Sequence, residues 1–129
     1  MYHATLKAFE TNIMRQGLIP DCRLRMFDWC DKQHVFLALD PDIAMDFINP
    51  SVIEPAPEHE QEILELMKQG GVLLEIDQTQ LDQKLLFIDP WVLRQNVLGD
   101  PVIEGGETFA YRGRIPPSAI TPSIHFDLM

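Results

Sequence analysis

The sequence predicts an α+β domain with about three short helices and a mixed or antiparallel sheet. Helical spacing and helix-capping residues fill the first half of the chain, whereas strand-like segments separated by turns fill the second half. The chain has 129 residues, of which 46% are hydrophobic, and this length suits one compact core. We therefore expect a single domain over residues 1–129.

The first half opens with two pairs of a strand and a helix. A strand over YHATL (2–6) leads into a helix over about residues 8–16, which Gly17 ends as a C-terminal cap. A second strand, HVFLAL, leads into a second helix. Asp40 is the predicted N-cap of this helix and Pro41 its first residue.

A third helix follows a proline stop. Asn49-Pro50 ends the second helix, because the residue before a proline disfavours helical backbone angles. The third helix is predicted over 57–69, with acidic residues in its first turn that complement the helix dipole. Gly70-Gly71 ends it.

The second half of the chain predicts three strands, GVLLEID, KLLFID and TFAYRGRI. The IPPSAI segment that follows predicts an irregular connection, because its two prolines each lack a backbone donor. Helices in the first half of the chain followed by strands in the second half indicate helices packed on a largely antiparallel or mixed sheet.

The charge of the chain argues against nucleic acid as a partner. Twenty acidic residues against ten lysines and arginines give a formal net charge of −10, and such a surface repels phosphates. Two small basic pairs are the local exceptions, Arg23 with Arg25 and Arg112 with Arg114.

Several other classes of protein are also disfavoured. The apolar runs VFLAL and LLFI are too short to cross a bilayer, and no signal-peptide pattern opens the chain, so we expect a cytoplasmic protein with no membrane partner. Cys22 and Cys30 have no histidine at ligand spacing, so we expect no metal. The sequence has no P-loop, no G-x-S-x-G and no G-x-G-x-x-G after a strand.

Four segments carry a resemblance to a known family. YHATLKAFETNIMRQGL has an H-x-[ST] strand, a helix and a Gly-Leu turn, and HVFLALDPDIAMDF has a strand followed by a helix that ends on an aromatic residue. GVLLEID is a core strand, and ETFAYRGRIPPSAI joins Glu-x-x-x-Tyr to Ile-Pro-Pro. In this order they resemble the ADP-ribosyltransferase fold over nearly the whole chain. That family includes diphtheria-toxin-like enzymes, poly-ADP-ribose polymerases, bacterial mono-ADP-ribosyltransferases and RNA 2′-phosphotransferases.

The resemblance implies NAD as the cofactor that is consumed, with substitution at C1′ of the nicotinamide ribose. Loss of nicotinamide leaves an oxocarbenium-like sugar, which a carboxylate stabilises. The implied carboxylate is Glu107, and a register shifted by one would place Thr108 there instead. His3 is implied to bind a ribose hydroxyl and to orient the dinucleotide.

The resemblance also implies the other contacts with NAD. The backbone of Ala4 would hold the nicotinamide amide, and Thr5 would anchor the strand or the ring. Phe36 and Phe47 would sandwich the ring. A cation would meet the pyrophosphate, and the candidates are Arg15, Arg23 and Arg25.

Two positions depart from the family pattern, and three functions stay open. Ala4 stands where the family often has Gly, and Phe47 where it often has Tyr, so the ring can stack but offers no hydroxyl. The first function is a mono-ADP-ribosyltransferase toxin or effector that modifies an unidentified acceptor, for example a protein, with a cognate antitoxin or other partner protein. The alternatives are an RNA 2′-phosphotransferase-like enzyme, which the charge disfavours, and a non-catalytic module that binds a nucleotide or a protein.

Overall fold

One antiparallel sheet runs through the molecule. The computed structural model describes residues 1–20, 34–48, 57–88 and 108–128. The strands in these residues are β1 (Tyr2–Leu6), β2 (Val35–Ala38), β3 (Gly71–Ile76), β4 (Leu86–Ile88), β5 (Thr108–Tyr111) and β6 (Ile120–Phe126). They lie in the order β4-β5-β2-β1-β3-β6, and every recorded pair is antiparallel.

Three α-helices accompany the sheet in the described residues. They are α1 (Glu10–Gln16), α2 (Pro41–Asp46) and α3 (Glu60–Met67), and short 3-10 turns precede α1 and α3. The prediction of an α+β domain with about three helices is confirmed. None of the described helices has the length and apolar character needed to span a membrane.

The predicted start of α2 is confirmed in detail. Pro41 is its first residue, and the Asp40 side chain accepts a hydrogen bond of 2.7 Å from the backbone N–H of Asp42. This bond satisfies one of the donors that a helix leaves open at its first turn. The predicted stop at Asn49-Pro50 lies outside the described residues.

The core is divided between the two faces of the sheet, because side chains alternate along each strand. One face, which we call the α1 face, packs against α1 and buries Ile13, Leu18, Val35, Leu37, Val72, Leu74, Ile76 and Ile115. The other, the α2 face, packs against α2 and α3 and buries Ala4, Leu6, Ala38, Ala44, Ile63, Met67 and Leu73. The sheet is therefore covered by helices on both sides.

The second half of the chain differs from its prediction in three places. The strand predicted over TFAYRGRI ends at Tyr111, and the irregular IPPSAI segment contains a 3-10 turn at Pro117–Ala119. Strand β6 was not predicted. It forms an edge of the sheet, where Pro122 is tolerated because its missing N–H interrupts no second ladder, and its register with β3 shifts between Leu73 and Leu74.

The Gly-Leu turn after α1 is tied to the Ile-Pro-Pro segment near the other end of the sequence. Gly17 has φ 86° and donates its N–H to the carbonyl of Ile13 at 2.7 Å, which confirms it as the helix cap. Leu18 and Ile115 then exchange two backbone hydrogen bonds of 2.9 Å each. The end of α1 is thereby fixed to the segment that follows β5.

We expect Gly17→Ala to destabilise the fold. The backbone angles of Gly17, φ 86° and ψ 178°, are almost restricted to glycine, and an added Cβ would collide with the carbonyl oxygen of Ile115. The backbone strain alone predicts a loss of roughly 1–3 kcal/mol in the free energy of unfolding, measured by denaturant titration.

Gly113→Ala is the matched control for this substitution. An added Cβ there would lie 3.3 Å from the end of the flexible Leu85 side chain, and the φ of Gly113 is not positive. Its effect should stay below about 1 kcal/mol. Equal losses in the two variants would contradict the special role of Gly17.

Candidate functional site

The sheet is paired unequally on the two sides of β1. Toward β3 the pairing is continuous, from Tyr2↔Glu75 to Leu6↔Gly71. Toward β2 the described residues give a single pair, Tyr2↔Ala38. The central ladder therefore stops after one pair, although both strands continue.

The backbone groups of β1 alternate between its two neighbours. Ile76 donates its N–H to the carbonyl of Met1 at 2.7 Å, and Lys7 donates its N–H to Gly70 at 3.0 Å. The odd-numbered residues of β1 therefore face β3, and the even-numbered residues face β2. It follows that the N–H and C=O of Ala4 are directed toward β2, beyond the last recorded pair.

His3 takes the place of the next ladder bond. In a regular antiparallel ladder, Ala4↔Phe36 would follow Tyr2↔Ala38, and the carbonyl of Phe36 would accept from Ala4. Instead the Nδ1 of His3 lies 2.7 Å from the carbonyl oxygen of Phe36. We call the resulting break, between the backbones of Ala4 and Phe36, the β1–β2 gap.

This contact fixes the proton on the His3 ring. A carbonyl oxygen only accepts, so Nδ1 carries the hydrogen and Nε2 of the neutral ring keeps a lone pair. Burial lowers the pKa of His3, and the hydrogen bond to Phe36 offsets part of this effect. The ring is therefore neutral at pH 7, with Nε2 as a hydrogen-bond acceptor.

The β1 side chains divide between the two faces. His3 and Thr5 pair with Leu74 and Val72, which belong to the core of the α1 face. The side chain of Ala4 belongs to the α2 face. Both Ala4 and Thr5 are buried, whereas His3 is half-buried.

The two phenylalanines lie on the opposite side of the sheet from the His3 ring. Phe36 alternates with Val35 and Leu37 of the α1 face, so its side chain belongs to the α2 face. Phe47 is the C-terminal cap residue of α2 and donates its N–H to Ala44 at 3.3 Å. Both rings are half-buried.

The predicted catalytic acid and two arginines lie outside the described residues. These are Glu107, Arg23 and Arg25. Thr108, the alternative position for the acid, is buried at the start of β5 and pairs with Ala38, which pairs in turn with Tyr2. Two strand spacings therefore separate Thr108 from β1, which is about 10 Å.

Arg15, the third candidate for the pyrophosphate, lies in the last turn of α1. Its side chain is exposed and donates a hydrogen bond of 3.1 Å to the Asn12 side chain. The structure therefore provides Arg15 with local support on its own helix and does not connect it with the β1–β2 gap.

Sequence reasoning missed two polar contacts. It assigned only the ring of Phe36, whereas the carbonyl of this residue holds His3. It also gave no role to the hydroxyl of Tyr111, which accepts a hydrogen bond of 3.0 Å from the N–H of Asp82. Neither had a signal in the sequence, because in both cases the partner is a backbone group of a distant residue.

Within the described ranges, no group of three or more His, Cys, Asp or Glu side chains is arranged to hold a metal ion. Comparison with family models, with curated proteins and with solved structures gives no match for this chain. The geometry around β1 is therefore the basis for a functional proposal.

We expect the stability of the protein to depend on pH through His3. Because the folded-state pKa of His3 is lowered, the unfolded chain takes up a proton near pH 6.5 while the folded protein does not. The free energy of unfolding should fall as the pH decreases below about 6.5, by up to about 1.4 kcal/mol per pH unit from this one group.

The matched variant for this measurement is His3→Gln, whose amide can still donate to Phe36 but does not titrate. Denaturant unfolding at several pH values between about 8 and 5 should show a shallower slope in the variant. Asp77, whose pKa is lowered by hydrogen bonds from Thr79 and Gln80, is present in both proteins and cancels in the comparison. Identical slopes would show that His3 ionises equally in the folded and unfolded states.

Proposed function

We propose that this domain has an ADP-ribosyltransferase fold and acts as an NAD-dependent mono-ADP-ribosyltransferase, with NAD bound at the β1–β2 gap. The observation that carries the proposal is the interruption of the central ladder at His3. Where the ladder stops, the N–H and C=O of Ala4 face β2 with no partner in that ladder, and buried backbone groups need partners.

The backbone of Ala4 matches a primary carboxamide. Its N–H and C=O both point toward β2, and nicotinamide presents a C=O and an N–H side by side, as a neighbouring strand would. Two hydrogen bonds would then replace the missing Ala4↔Phe36 pair. Ala4 is buried, so partners for these groups matter, since an unsatisfied buried polar group costs about 1–3 kcal/mol.

The protonation state of His3 fits its proposed role. With Nδ1–H held by the carbonyl of Phe36, Nε2 accepts a hydrogen bond from a ribose hydroxyl. The fixed ring would place the ribose without a proton transfer, and such positioning lowers the barrier by restricting the reacting groups in advance.

The two phenylalanines support binding of a flat ring. Phe36 lies on the α2 face, which is also the side of the Ala4 methyl group, and Phe47 caps the helix that covers this face. In the proposal the nicotinamide ring stacks between them while its amide meets the backbone of Ala4. The absence of a hydroxyl at Phe47 leaves the stacking surface intact.

Glu107 supplies the charge in the proposed reaction. The bond between C1′ and the nicotinamide nitrogen breaks, the bonding pair leaves with nicotinamide, and the carboxylate stabilises the cationic sugar. A nucleophilic group of the acceptor, for example a protein side chain, then attacks C1′ and loses a proton. Glu107 directly precedes Thr108 in the sequence, and the proposal requires its carboxylate to reach the ribose bound by His3.

A second candidate is a module that binds NAD or a related nucleotide without turnover. The observation in its favour is Phe47, a half-buried ring in a position where the resembled family often has a tyrosine. Both candidates use the same gap, so they are separated by chemistry and not by binding.

The deciding experiment measures two quantities on the purified protein. Isothermal titration calorimetry gives NAD binding, and chromatography of the same mixture gives free nicotinamide. Binding with release of nicotinamide supports the transferase, and binding without release supports the module. If NAD does not bind even at millimolar concentration, both candidates are wrong.

Glu107→Gln should remove turnover and keep binding. The amide preserves size and reach but removes the charge, which acts mainly on the transition state. We expect nicotinamide release to fall by roughly two to three powers of ten, with little change in NAD affinity.

The control is Glu104→Gln, three positions earlier in the sequence, which should retain full activity. Intact activity in Glu107→Gln together with loss of activity in Thr108→Ala would place the register one residue later. Loss of activity in Glu104→Gln would show that Glu104 supplies the carboxylate and that its assignment to Glu107 is wrong.

Phe47→Ala should weaken NAD binding through the loss of stacking, whereas Phe47→Tyr should preserve it. Phe87→Ala is the matched control, because Phe87 is 45% exposed on β4, at the edge of the sheet. Calorimetry and denaturant unfolding separate the two roles of the ring. A stability loss of about 3 kcal/mol or more with unchanged NAD affinity would show that Phe47 is only a packing residue.

A further inference from the structure

Positive charge is concentrated at one place on the described surface. Four of the six lysines and arginines in the described ranges surround the turn that follows β5. We call them the cation patch, and they are Arg15, Lys84, Arg112 and Arg114. All four are exposed.

Hydrogen bonds to backbone carbonyls bring these residues together from three parts of the chain. The N–H of Arg112 donates to the carbonyl of Leu85 at 2.8 Å, and Leu85 directly follows Lys84. The Nε of Arg114 donates to the carbonyl of Gln16 at 2.6 Å, and Gln16 directly follows Arg15. The patch is therefore a product of the fold and not of sequence proximity.

Within the part of the chain that the structure describes, most of the side-chain donors of the patch have no protein partner. Arg114 uses Nε for Gln16, and Arg15 uses one nitrogen for Asn12. The ion pairs recorded among the described residues involve Lys68 and His125, which are not in the patch. The nearby Asp82 already accepts a hydrogen bond of 3.0 Å from the N–H of Lys84.

The charge distribution is strongly asymmetric. Of the twelve described acidic residues, seven lie between residues 40 and 65, on α2 and α3 or beside them. These helices cover the α2 face, whereas Arg15 belongs to α1 on the other face. An anionic partner is thus attracted to the patch and repelled by the surface around α2 and α3.

We propose that the cation patch is a docking surface for an acidic segment of a protein partner. A guanidinium group can donate two parallel hydrogen bonds to one carboxylate, and the patch has three arginines. Ile19, beside the bridge between Leu18 and Ile115, is 47% exposed and adds an apolar contact next to the charges. A peptide segment with carboxylates around an apolar side chain matches both the arginines and the exposed Ile19.

Nucleic acid fits this surface less well. The aliphatic side chain of Ile19 offers no ring on which a base could stack. A long polyanion also extends beyond four cations and meets the field of a chain with net charge −10, whereas a short peptide segment contacts the patch alone.

The docking surface is independent of the proposed NAD site. Arg112 follows the last residue of β5, whereas Thr108 is the first, and four residues of extended chain correspond to about 13 Å. A failure of NAD turnover therefore leaves this proposal untouched, and the reverse also holds.

The test uses a short fluorescein-labelled peptide of Asp and Glu with two central leucines, with binding followed by fluorescence anisotropy at about 0.15 M salt. A peptide with serines in place of the leucines and a single-stranded oligothymidine of equal charge are the comparison probes. We expect the leucine peptide to bind more tightly than either.

Three variants locate the contact. Arg112→Gln combined with Arg114→Gln should weaken binding of the leucine peptide by about tenfold or more, and Ile19→Ser should also weaken it. Arg112→Gln alone is the safeguard against damage to α1, because the recorded contact of Arg112 is made by its backbone. Lys68→Gln on α3 is the control and should leave affinity unchanged.

The proposal is overturned if the leucine peptide fails to bind at millimolar concentration, or if oligothymidine or the serine peptide binds as tightly. It is also overturned if Arg112→Gln leaves the affinity of the peptide unchanged while unfolding measurements show an intact fold.

Discussion

The imidazole of His3 determines how the centre of the sheet is built. By occupying the carbonyl of Phe36, it satisfies an acceptor that the ladder would otherwise pair with Ala4. A side chain thus replaces a backbone group, and the pairing between β1 and β2 is limited to Tyr2↔Ala38. The break in the ladder and the tautomer of the ring follow from this hydrogen bond, whereas pairing with β3 orients the Ala4 backbone and burial keeps the ring neutral.

In the proposed function, this arrangement would also let the two faces of the sheet contribute to one site. In an unbroken sheet, the hydrogen-bonded backbone would separate His3 on the α1 face from Phe36 on the α2 face. In the proposed function, a ligand bound where the ladder is interrupted would contact groups from both faces. The helices differ in what they contribute. Helix α1 packs on the α1 face, and α2 ends at Phe47 on the other side of the sheet.

Much of the fold could be predicted from the sequence, because it depends on short-range features such as helix caps. The Asp40-Pro41 start of α2 and the Gly17 end of α1 depend on few residues and were correct in detail. Strand β6 was missed because Pro122 and its neighbours indicate a turn, and only its place at the edge of the sheet makes a proline acceptable.

The candidate site was predictable only in part, for a related reason. A histidine in the opening strand was recognisable as a candidate, but its partner is the backbone of a residue 33 positions away. A backbone carbonyl has no sequence signature, so neither the interruption of the ladder nor the tautomer could be predicted. The same applies to the cation patch, in which carbonyls of Gln16 and Leu85 bring distant cations together.

The bridge between Leu18 and Ile115 has a consequence for synthesis on the ribosome. Strand β1 pairs with β2 and β3. The end of α1 pairs with a residue almost 100 positions later in the sequence. Contacts between residues so far apart in the chain form slowly, because long loops must close before the contact contributes. The end of α1 therefore lacks this partner until residue 115 has been synthesised, and the nascent chain is more open to aggregation or to a chaperone up to that stage.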